Sequence, residues 1–359
     1  MTRPFAPSDA LRLRRLQRTG ESLEIEDAVL VGRSPLRQAM TDWRPLGTGA
    51  IETLVAPACG SGTVAGFTQS RCRRGAADAD LTFIAPALTQ ANGAALFWGR
   101  LITDSCQWLG AREVERVHAA VVEDDQVALQ VFRGCGFAVC TTDVVLARSA
   151  SGSGTDRPGD GRADGRDGGG TVSPEAELRA VPMAADTELA VRRLAHECLP
   201  DAVRAASDEL GGDWFSYPLG GFEPGPAIKR AWVDPSGVVQ GAWRVIGGRD
   251  AHWLQALVRP GLDARALVRA ALADVAADRR FANLPILAAA RGYESELNLA
   301  LRECGFEPRA RRFRLVKQMA VRVMAPAWHR GAVRDHGLDP APSSTVKLAA
   351  RTSGDSSID

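Results

Sequence analysis

The sequence predicts an α/β protein built from two similar halves. The word Arg-x-Cys-Gly-Phe occurs at 133–137 and again at 302–306, an offset of 169 residues. Between the copies lies a glycine-rich stretch that holds no aromatic residue, leucine or isoleucine. Each half also alternates strand-like and helix-like patterns in the same order. These three observations indicate an internal duplication whose copies are joined by a linker.

The repeat extends beyond the five-letter word. At the fixed offset of 169, Val117 aligns with Ile286 and Leu146 aligns with Leu315, with no gap between these positions. A chance match of five letters would not continue in this way, so we interpret the halves as copies of one fold.

The composition of the linker sets the segment boundaries. Eight glycines fall within 149–174, a stretch that cannot bury enough apolar surface to offset its chain entropy. The stretch after 325 is also polar and irregular. We therefore predict a first folded domain, a flexible linker, a second folded domain and a disordered tail, at 1–148, 149–175, 176–324 and 325–359.

Each half repeats one order of elements. Alternating or continuous apolar runs predict strands, and apolar residues at helical spacing predict helices. For the first half these are strands at 63–71 and 79–88, a helix at 93–110, a strand at 114–122, a helix at 125–135 and a strand at 139–148. For the second half they are strands at 238–247 and 251–260, a helix at 264–278, a strand at 284–290, a helix at 294–304 and a strand at 310–319. Early helices are predicted at 8–18 and 187–206.

Composition excludes several classes of function. The net charge of +1 provides no field to attract nucleic acid, and no apolar run of 18 residues predicts a membrane span. The N-terminus has no apolar core of signal-peptide length, so we expect a cytoplasmic protein. The seven cysteines show no metal-ligand spacing and predict no zinc site.

One short motif opens the predicted helix at 93–110. It reads Gln90-Ala91-Asn92-Gly93-Ala94-Ala95, and Gly136-Phe137 follows before the last strand of this half. With the order of strands and helices, the motif resembles the GNAT acyltransferase superfamily. The two copies resemble its tandem members, including mycothiol-synthase-like acetyltransferases.

The resemblance implies an α/β (α+β) fold in which each half has a mixed, mostly antiparallel central sheet flanked by helices. It also implies acetyl-CoA as co-substrate, no metal, and a small-molecule or peptide amine as acceptor. The two domains are expected to pack on each other.

Physical chemistry supports an anion site at this motif. A helix N-terminus offers unpaired backbone N–H groups and a positive dipole end, where a pyrophosphate can bind. Gly93 lets the backbone approach the phosphates closely. The alternative is that Asn92-Gly93 forms only a tight turn and helix cap.

The resemblance also implies the remaining cofactor-binding positions. In the family, backbone N–H groups of the fourth strand polarise the thioester carbonyl; here that strand is 81–87, and we expect a bulge near Pro86. Phe132 stands where many members carry a tyrosine that protonates the leaving thiolate, and Asp125 stands where many carry an asparagine. The predicted cofactor-binding set is Ile84, Ala85, Gln90, Ala91, Asn92, Gly93, Ala94, Ala95, Asp125 and Phe132.

The second copy departs from the motif. At the same offset Gln90 becomes Arg259, Gly93 becomes Leu262 and Ala94 becomes Asp263. A carboxylate at this position caps a helix but repels a pyrophosphate. We therefore predict that the second half is a degenerate acyltransferase fold that lost CoA.

Several other residues allow more than one interpretation. Glu52, Asp78 and Asp80 are candidate general bases, but the sequence favours solvated loop or edge carboxylates at these positions. His118 could face the cleft, but the sequence favours a core or strand-face histidine. Cys135 is a candidate nucleophile, but its repetition as Cys304 favours packing. An arginine cluster can line an anionic site, hold the other half or be solvated, and an aromatic loop can pack or frame a pocket. These two groups are Arg309, Arg311, Arg312 and Arg314, and Trp214, Phe215 and Tyr217.

The sequence thus favours an N-acyltransferase that transfers an acetyl group to an amine by direct attack, with CoA bound by the first half. The alternative is a non-catalytic acyl-CoA-binding or interaction protein, which the missing phenol at Phe132 favours. A third hypothesis is a scaffold in which neither half binds CoA.

Overall fold

The computed structural model of the protein describes residues 2–30, 34–43, 51–58, 64–73, 77–88, 93–150, 178–206, 225–281 and 283–319. The elements of the first half are β1 (Arg3–Pro4), α1 (Ala10–Leu16), β2 (Glu21–Ser22), α2 (Ile25–Leu30), α3 (Pro35–Asp42), β3 (Ile51–Pro57), β4 (Val64–Cys72), β5 (Asp78–Ala85), α4 (Ala94–Gly110), β6 (Arg116–Val122), α5 (Gln126–Gly134) and β7 (Ala138–Arg148). Those of the second half are β8 (Arg179–Pro182), α6 (Ala185–Glu197), α7 (Asp201–Ala206), β9 (Ala227–Val233), β10 (Val239–Gly247), β11 (His252–Val258), α8 (Ala264–Ala277), β12 (Ile286–Arg291), α9 (Ser295–Glu303) and β13 (Glu307–Gln318).

The predicted α/β class and the predicted order of the main strands and helices are confirmed in both halves. The two early helices need correction. The first begins as a 3-10 turn before α1 and ends at Leu16. The second is split into α6 and α7, because Pro200 between them has no backbone N–H to continue a helix. Elements that the sequence reasoning missed are β1, β2, α2, α3, β3, β8 and β9.

The described strands form one continuous sheet. Its order is β1-β3-β4-β5-β6-β13-β7-β12-β11-β10-β9-β8, and β2 adds to β5 outside this path. Neighbours are antiparallel except β5 with β6 and β11 with β12, which run parallel. Each half therefore contributes one parallel pair to a mixed, mostly antiparallel sheet.

The two halves exchange their last strands. β13 of the second half lies between β6 and β7 of the first half, and β7 pairs with β12 of the second. Val117 stands opposite Lys317, and Ile286 stands opposite Arg148. Each of these residues lies 169 positions from its counterpart in the other pair, so the exchange has the same register in both directions. Each half thus completes the sheet of the other.

The two largest apolar clusters of the described residues lie where helices cover the sheet. The first lies under α4 and α5 and is centred on Trp98, Leu101 and Phe132. The second lies under α8 and α9 and is centred on Trp243, Leu267 and Leu301. Since the last strands are exchanged, Leu315 packs in the first core and Leu146 packs in the second.

Candidate functional site

The parallel strands of the first half separate along their length. β5 and β6 pair only from Asp78 opposite Arg116 to Asp80 opposite His118. Beyond this point β5 continues to Ala85 and β6 to Val122 without pairing with each other. We call the space between their carboxyl ends the cleft.

A bulge lies in β5 at the cleft. The register between β4 and β5 shifts between Gln69 and Ser70, because Ser70 stands opposite Leu81 and Gln69 stands opposite Phe83. Thr82 is therefore the extra residue, and the bulge expected near Pro86 lies four residues earlier. A bulge twists a strand and re-aims its backbone groups, which suits a site at the strand edge.

Helix α4 begins after Gly93, which has a left-handed backbone with φ of 81°. Among the described residues, no side chain caps this end, and apart from Gly93 itself, its chain neighbours and the helix backbone no atom lies within 4 Å of the place where a Cβ would stand on Gly93. Ala94 and Ala95 keep the first turn small, and the next residue, Leu96, is 84% exposed. The start of α4 therefore leaves space beside backbone donors for an anion. Gln90, Ala91 and Asn92 of the predicted motif lie outside the described residues.

The corresponding helix of the second half has a different start. Asp263 caps α8, and its Oδ1 accepts hydrogen bonds from the N–H groups of Arg265 at 2.9 Å and Ala266 at 3.0 Å. A carboxylate thus already satisfies donors that a phosphate would need. The register between β10 and β11 also runs without a shift.

The two predicted strand positions are buried and paired. Ile84 and Ala85 are fully buried. Ala85 stands opposite Phe67 of β4, and Ile84 stands opposite Glu21 of β2, on the edge that faces the cleft. The backbone of Ile84 is therefore not open to a ligand in this conformation.

The two predicted positions on α5 have clear local roles. Asp125 caps the helix, and its Oδ1 accepts a hydrogen bond from Ala128 N–H at 2.9 Å. Phe132 is fully buried, with edge-on ring contacts to Trp98 at 6.4 Å and Phe137 at 5.1 Å between centroids. The structure thus places Phe132 in the apolar core.

The candidate bases on β5 are buried ion-pair partners, which corrects the reading of them as solvated carboxylates. Asp80 receives two short contacts from Arg73, at 2.6 and 3.1 Å, and lies 3.4 Å from Arg71. Asp78 accepts a hydrogen bond from Arg116 at 2.7 Å. Burial opposes ionisation of both carboxyls, but these cations outweigh it and hold both pKa values below the ordinary range. Such groups are poor proton acceptors at neutral pH.

Two candidate bases remain, one on β6 and one on β3. His118 is half-buried, and its Nε2 lies 3.5 Å from Asp78 Oδ2. Glu52 lies on β3 and contacts Trp108 Nε1 at 3.3 Å and Arg112 at 3.0 Å. His118 thus adjoins a carboxylate, and Glu52 adjoins an indole N–H and a guanidinium.

Cys135 has the packing role that its repetition favoured. Its Sγ lies against the first core and 3.5 Å from the carbonyl oxygen of Gly99. Cys304 packs against the second core in the same way.

Three of the four arginines in the β13 cluster contact the first half, which is one of the three interpretations that the sequence left open, and Arg309 is exposed. Arg312 donates to the carbonyl oxygens of Leu23 and Ala120, both in the first half. Arg314 pairs with Asp143, and Arg311 pairs with Glu123 at 3.3 Å.

The aromatic residues Trp214, Phe215 and Tyr217 lie outside the described residues.

The part of the chain that the structure describes offers no cluster of three or more metal-ligating side chains. Over the same residues, no helix is long and apolar enough to cross a membrane.

Comparison with known proteins identifies the fold. No protein-family model matches the sequence, and no curated protein matches it. Among solved structures, a GCN5-related N-acetyltransferase from Sphaerobacter thermophilus superposes with a TM-score of 0.53 at 17% identity, covering 89% of this chain and 95% of that one. A tandem GNAT protein from the clavulanic acid biosynthesis pathway gives a TM-score of 0.52 at 16% identity, covering 89% and 98%. The chain thus has the tandem GNAT fold.

Proposed function

We propose that this chain, which has the tandem GNAT fold, is an N-acyltransferase that binds acyl-CoA through its first half. One observation carries the assignment to that half. Among the described residues, the first half combines a bulged strand at a parallel cleft with a helix start that no side chain caps. In the second half the strand has no register shift and Asp263 caps the helix.

The start of α4 would bind the pyrophosphate of CoA. Its first-turn N–H groups carry partial positive charge, and Gly93 brings no Cβ to obstruct the approach. Gln90, Ala91 and Asn92 complete this site in the proposal, as the sequence motif implies. The acyl arm would then run into the cleft towards β5.

Acyl transfer by direct attack needs an oxyanion site, a deprotonated amine and a thiolate that can leave. Backbone N–H groups of β5 around Ile84 and Ala85 would polarise the thioester carbonyl.

Of the candidate bases, His118 and Glu52 remain, because Asp78 and Asp80 have lowered pKa values and are held by arginines. Phe132 cannot donate a proton, so water would protonate the leaving thiolate. The acceptor is a small-molecule or peptide amine.

A second function is favoured by two observations. Phe132 fills the core where the family pattern has a phenol, and the backbone of Ile84 is already paired with the chain itself. A protein that binds acyl-CoA without transferring the acyl group, or that serves in interactions, fits both features. The two functions differ in their products, because only an acyltransferase releases free CoA when an amine acceptor is present.

Calorimetric titration with acetyl-CoA tests the assignment. Leu96→Glu places a carboxylate on the third residue of α4, and Ala266→Glu places one on the third residue of α8. Leu96 is largely exposed, so its substitution spares the core. We expect Leu96→Glu to weaken binding by about tenfold or more through repulsion of the pyrophosphate, and Ala266→Glu to leave it unchanged.

The opposite pattern, with loss only in Ala266→Glu, would move the site to the second half. Absence of binding by the unmodified chain and by every variant of it would reject the acyl-CoA proposal. Once binding is established, release of free CoA with a panel of amines separates the enzyme from the non-catalytic binder.

A further inference from the structure

Residues 19–23, which we call the inserted segment, lie along the edge of β5 that faces the cleft. β4 occupies the other edge of β5 along its whole length. β2, within the inserted segment, pairs antiparallel with β5, so that Glu21 stands opposite Ile84 and Ser22 stands opposite Phe83. The cleft edge of β5 is therefore used by the chain itself.

Two more backbone hydrogen bonds extend this pairing in both directions. Leu23 N–H donates to the carbonyl oxygen of Thr82, the bulge residue, at 2.9 Å. Ala87 N–H donates to the carbonyl oxygen of Thr19 at 2.7 Å. The contact thus covers the bulge and the end of β5, which are the positions where the proposed function places the thioester.

The second half holds the inserted segment from the other side of the cleft. Arg312 Nη2 donates to the carbonyl oxygen of Leu23 at 3.1 Å and to that of Ala120 on β6 at 3.0 Å. Arg312 lies on β13, the exchanged strand, and is buried. One guanidinium therefore joins the inserted segment to β6 and closes the cleft from strand to strand.

Side chains anchor the inserted segment as well. Leu23 is 1% exposed and belongs to the apolar cluster that contains Trp98 and Phe132. The next residue, Glu24, pairs with Arg71 on β4 at 2.9 Å. An apolar side chain thus fills the cleft floor, and an ion pair fixes the point where the chain leaves it.

We propose that the inserted segment is an autoinhibitory strand that must unpair from β5 before the acyl arm of CoA can enter the cleft. The inference rests on the proposed function. The arm of CoA carries amide groups that need backbone partners, and the inserted segment occupies the partners that β5 offers. Two extended chains cannot pair with one strand edge at the same time.

In this arrangement the second half helps to control whether the cleft is open to acyl-CoA. Displacing the inserted segment leaves the carbonyl of Leu23 without the guanidinium of Arg312, which belongs to the second half. The apparent affinity for acyl-CoA is the intrinsic affinity reduced by the fraction of molecules whose cleft is open. Any ligand or contact that moves Arg312 will change that fraction.

A reversible covalent lock tests the proposal. Ser22 of the inserted segment and Phe83 of β5 stand directly opposite each other in the antiparallel pair, where Cα atoms lie about 4.5–5.5 Å apart, a separation that a disulfide spans. The Ser22→Cys/Phe83→Cys variant is titrated with acetyl-CoA in its oxidised and reduced forms, so that both arms of the comparison lack the Phe83 ring. Ser22→Cys alone, treated with the same oxidant, controls for oxidation of the native cysteines.

We expect the oxidised lock to weaken binding at least about tenfold and reduction to restore it. Leu23→Ala, which loosens the segment, should tighten binding, and the lock decides the matter if this variant does not fold. Equal affinity of the oxidised and reduced forms, still sensitive to Leu96→Glu, would overturn autoinhibition and leave the proposed function standing. Lack of binding in every form, including Leu23→Ala, would overturn both.

Discussion

Asp143 and Arg312 stand directly opposite each other in the central pair of strands, β7 and β13. They are also 169 residues apart, which is the offset of the repeat. Two equivalent positions that face each other mark the local twofold axis between the halves. The copies thus place opposite charges on one axis, and Arg312 turns away to bond the cleft of the first half.

The exchange of strands predicts that the halves cannot separate. Cleavage at a protease site engineered into 151–175 should leave both fragments in one peak on size exclusion, because β13 and β7 remain in the sheets of their partners. Thermal unfolding of the uncleaved chain should show one transition. Two peaks after cleavage without denaturant would contradict the exchange.

Arg312 should contribute measurably to stability. Arg312→Met removes the donor from two buried carbonyls, and we expect a loss of about 2 kcal/mol in the free energy of unfolding. Burial lowers the pKa of Arg312 to about 10, consistent with a cation held in the interior. Arg309→Met, on the exposed part of the same strand, is the matched control. Urea denaturation measures both, and equal losses would argue against the bridging role.

Asp80 should make the fold sensitive to acid. Its pKa is below the ordinary 3.8 because Arg73 and Arg71 outweigh the effect of burial. Because the pKa of this carboxyl is lower in the folded state than in the unfolded state, the carboxylate stabilises the fold at pH values above its ordinary pKa. This stability is lost as the pH falls below about 4.

Asp80→Asn should therefore lower the free energy of unfolding by about 3 kcal/mol at pH 7 and reduce its dependence on pH below 4. Urea unfolding at pH 7 and pH 3.5 checks both effects. An unchanged pH dependence would mean that Asp80 is not held ionised by the arginines.

Replacing Phe132 with tyrosine, the residue of the family pattern, should not supply an acid for the leaving thiolate. Phe132 is fully buried between Trp98 and Phe137. In Phe132→Tyr the hydroxyl would lie in an apolar core, which costs about 1–3 kcal/mol without a partner. We expect lower stability and no gain in the rate of CoA release. A faster rate would show that this side chain reaches the thioester in the open form.

The main strands and helices could be predicted because their apolar residues repeat with the period of a strand or a helix, as in β4 and α4. The exchange could not be predicted, since β7 and β13 have similar alternation and either order in the sheet satisfies it. β2 was missed because it has only two residues, Glu21 and Ser22, which is too short to show the alternation of a strand. The motif predicted the start of α4, but not Arg312, because a buried and a solvated arginine look alike on an alternating strand.

Hydrogen exchange with and without acetyl-CoA distinguishes which half binds the ligand. We expect slower exchange at 93–98, at the start of α4, and faster exchange at 19–23 as the inserted segment leaves β5. We expect no change at 263–268, where Asp263 caps α8. Slower exchange at 263–268 with none at 93–98 would contradict the placement of acyl-CoA in the first half.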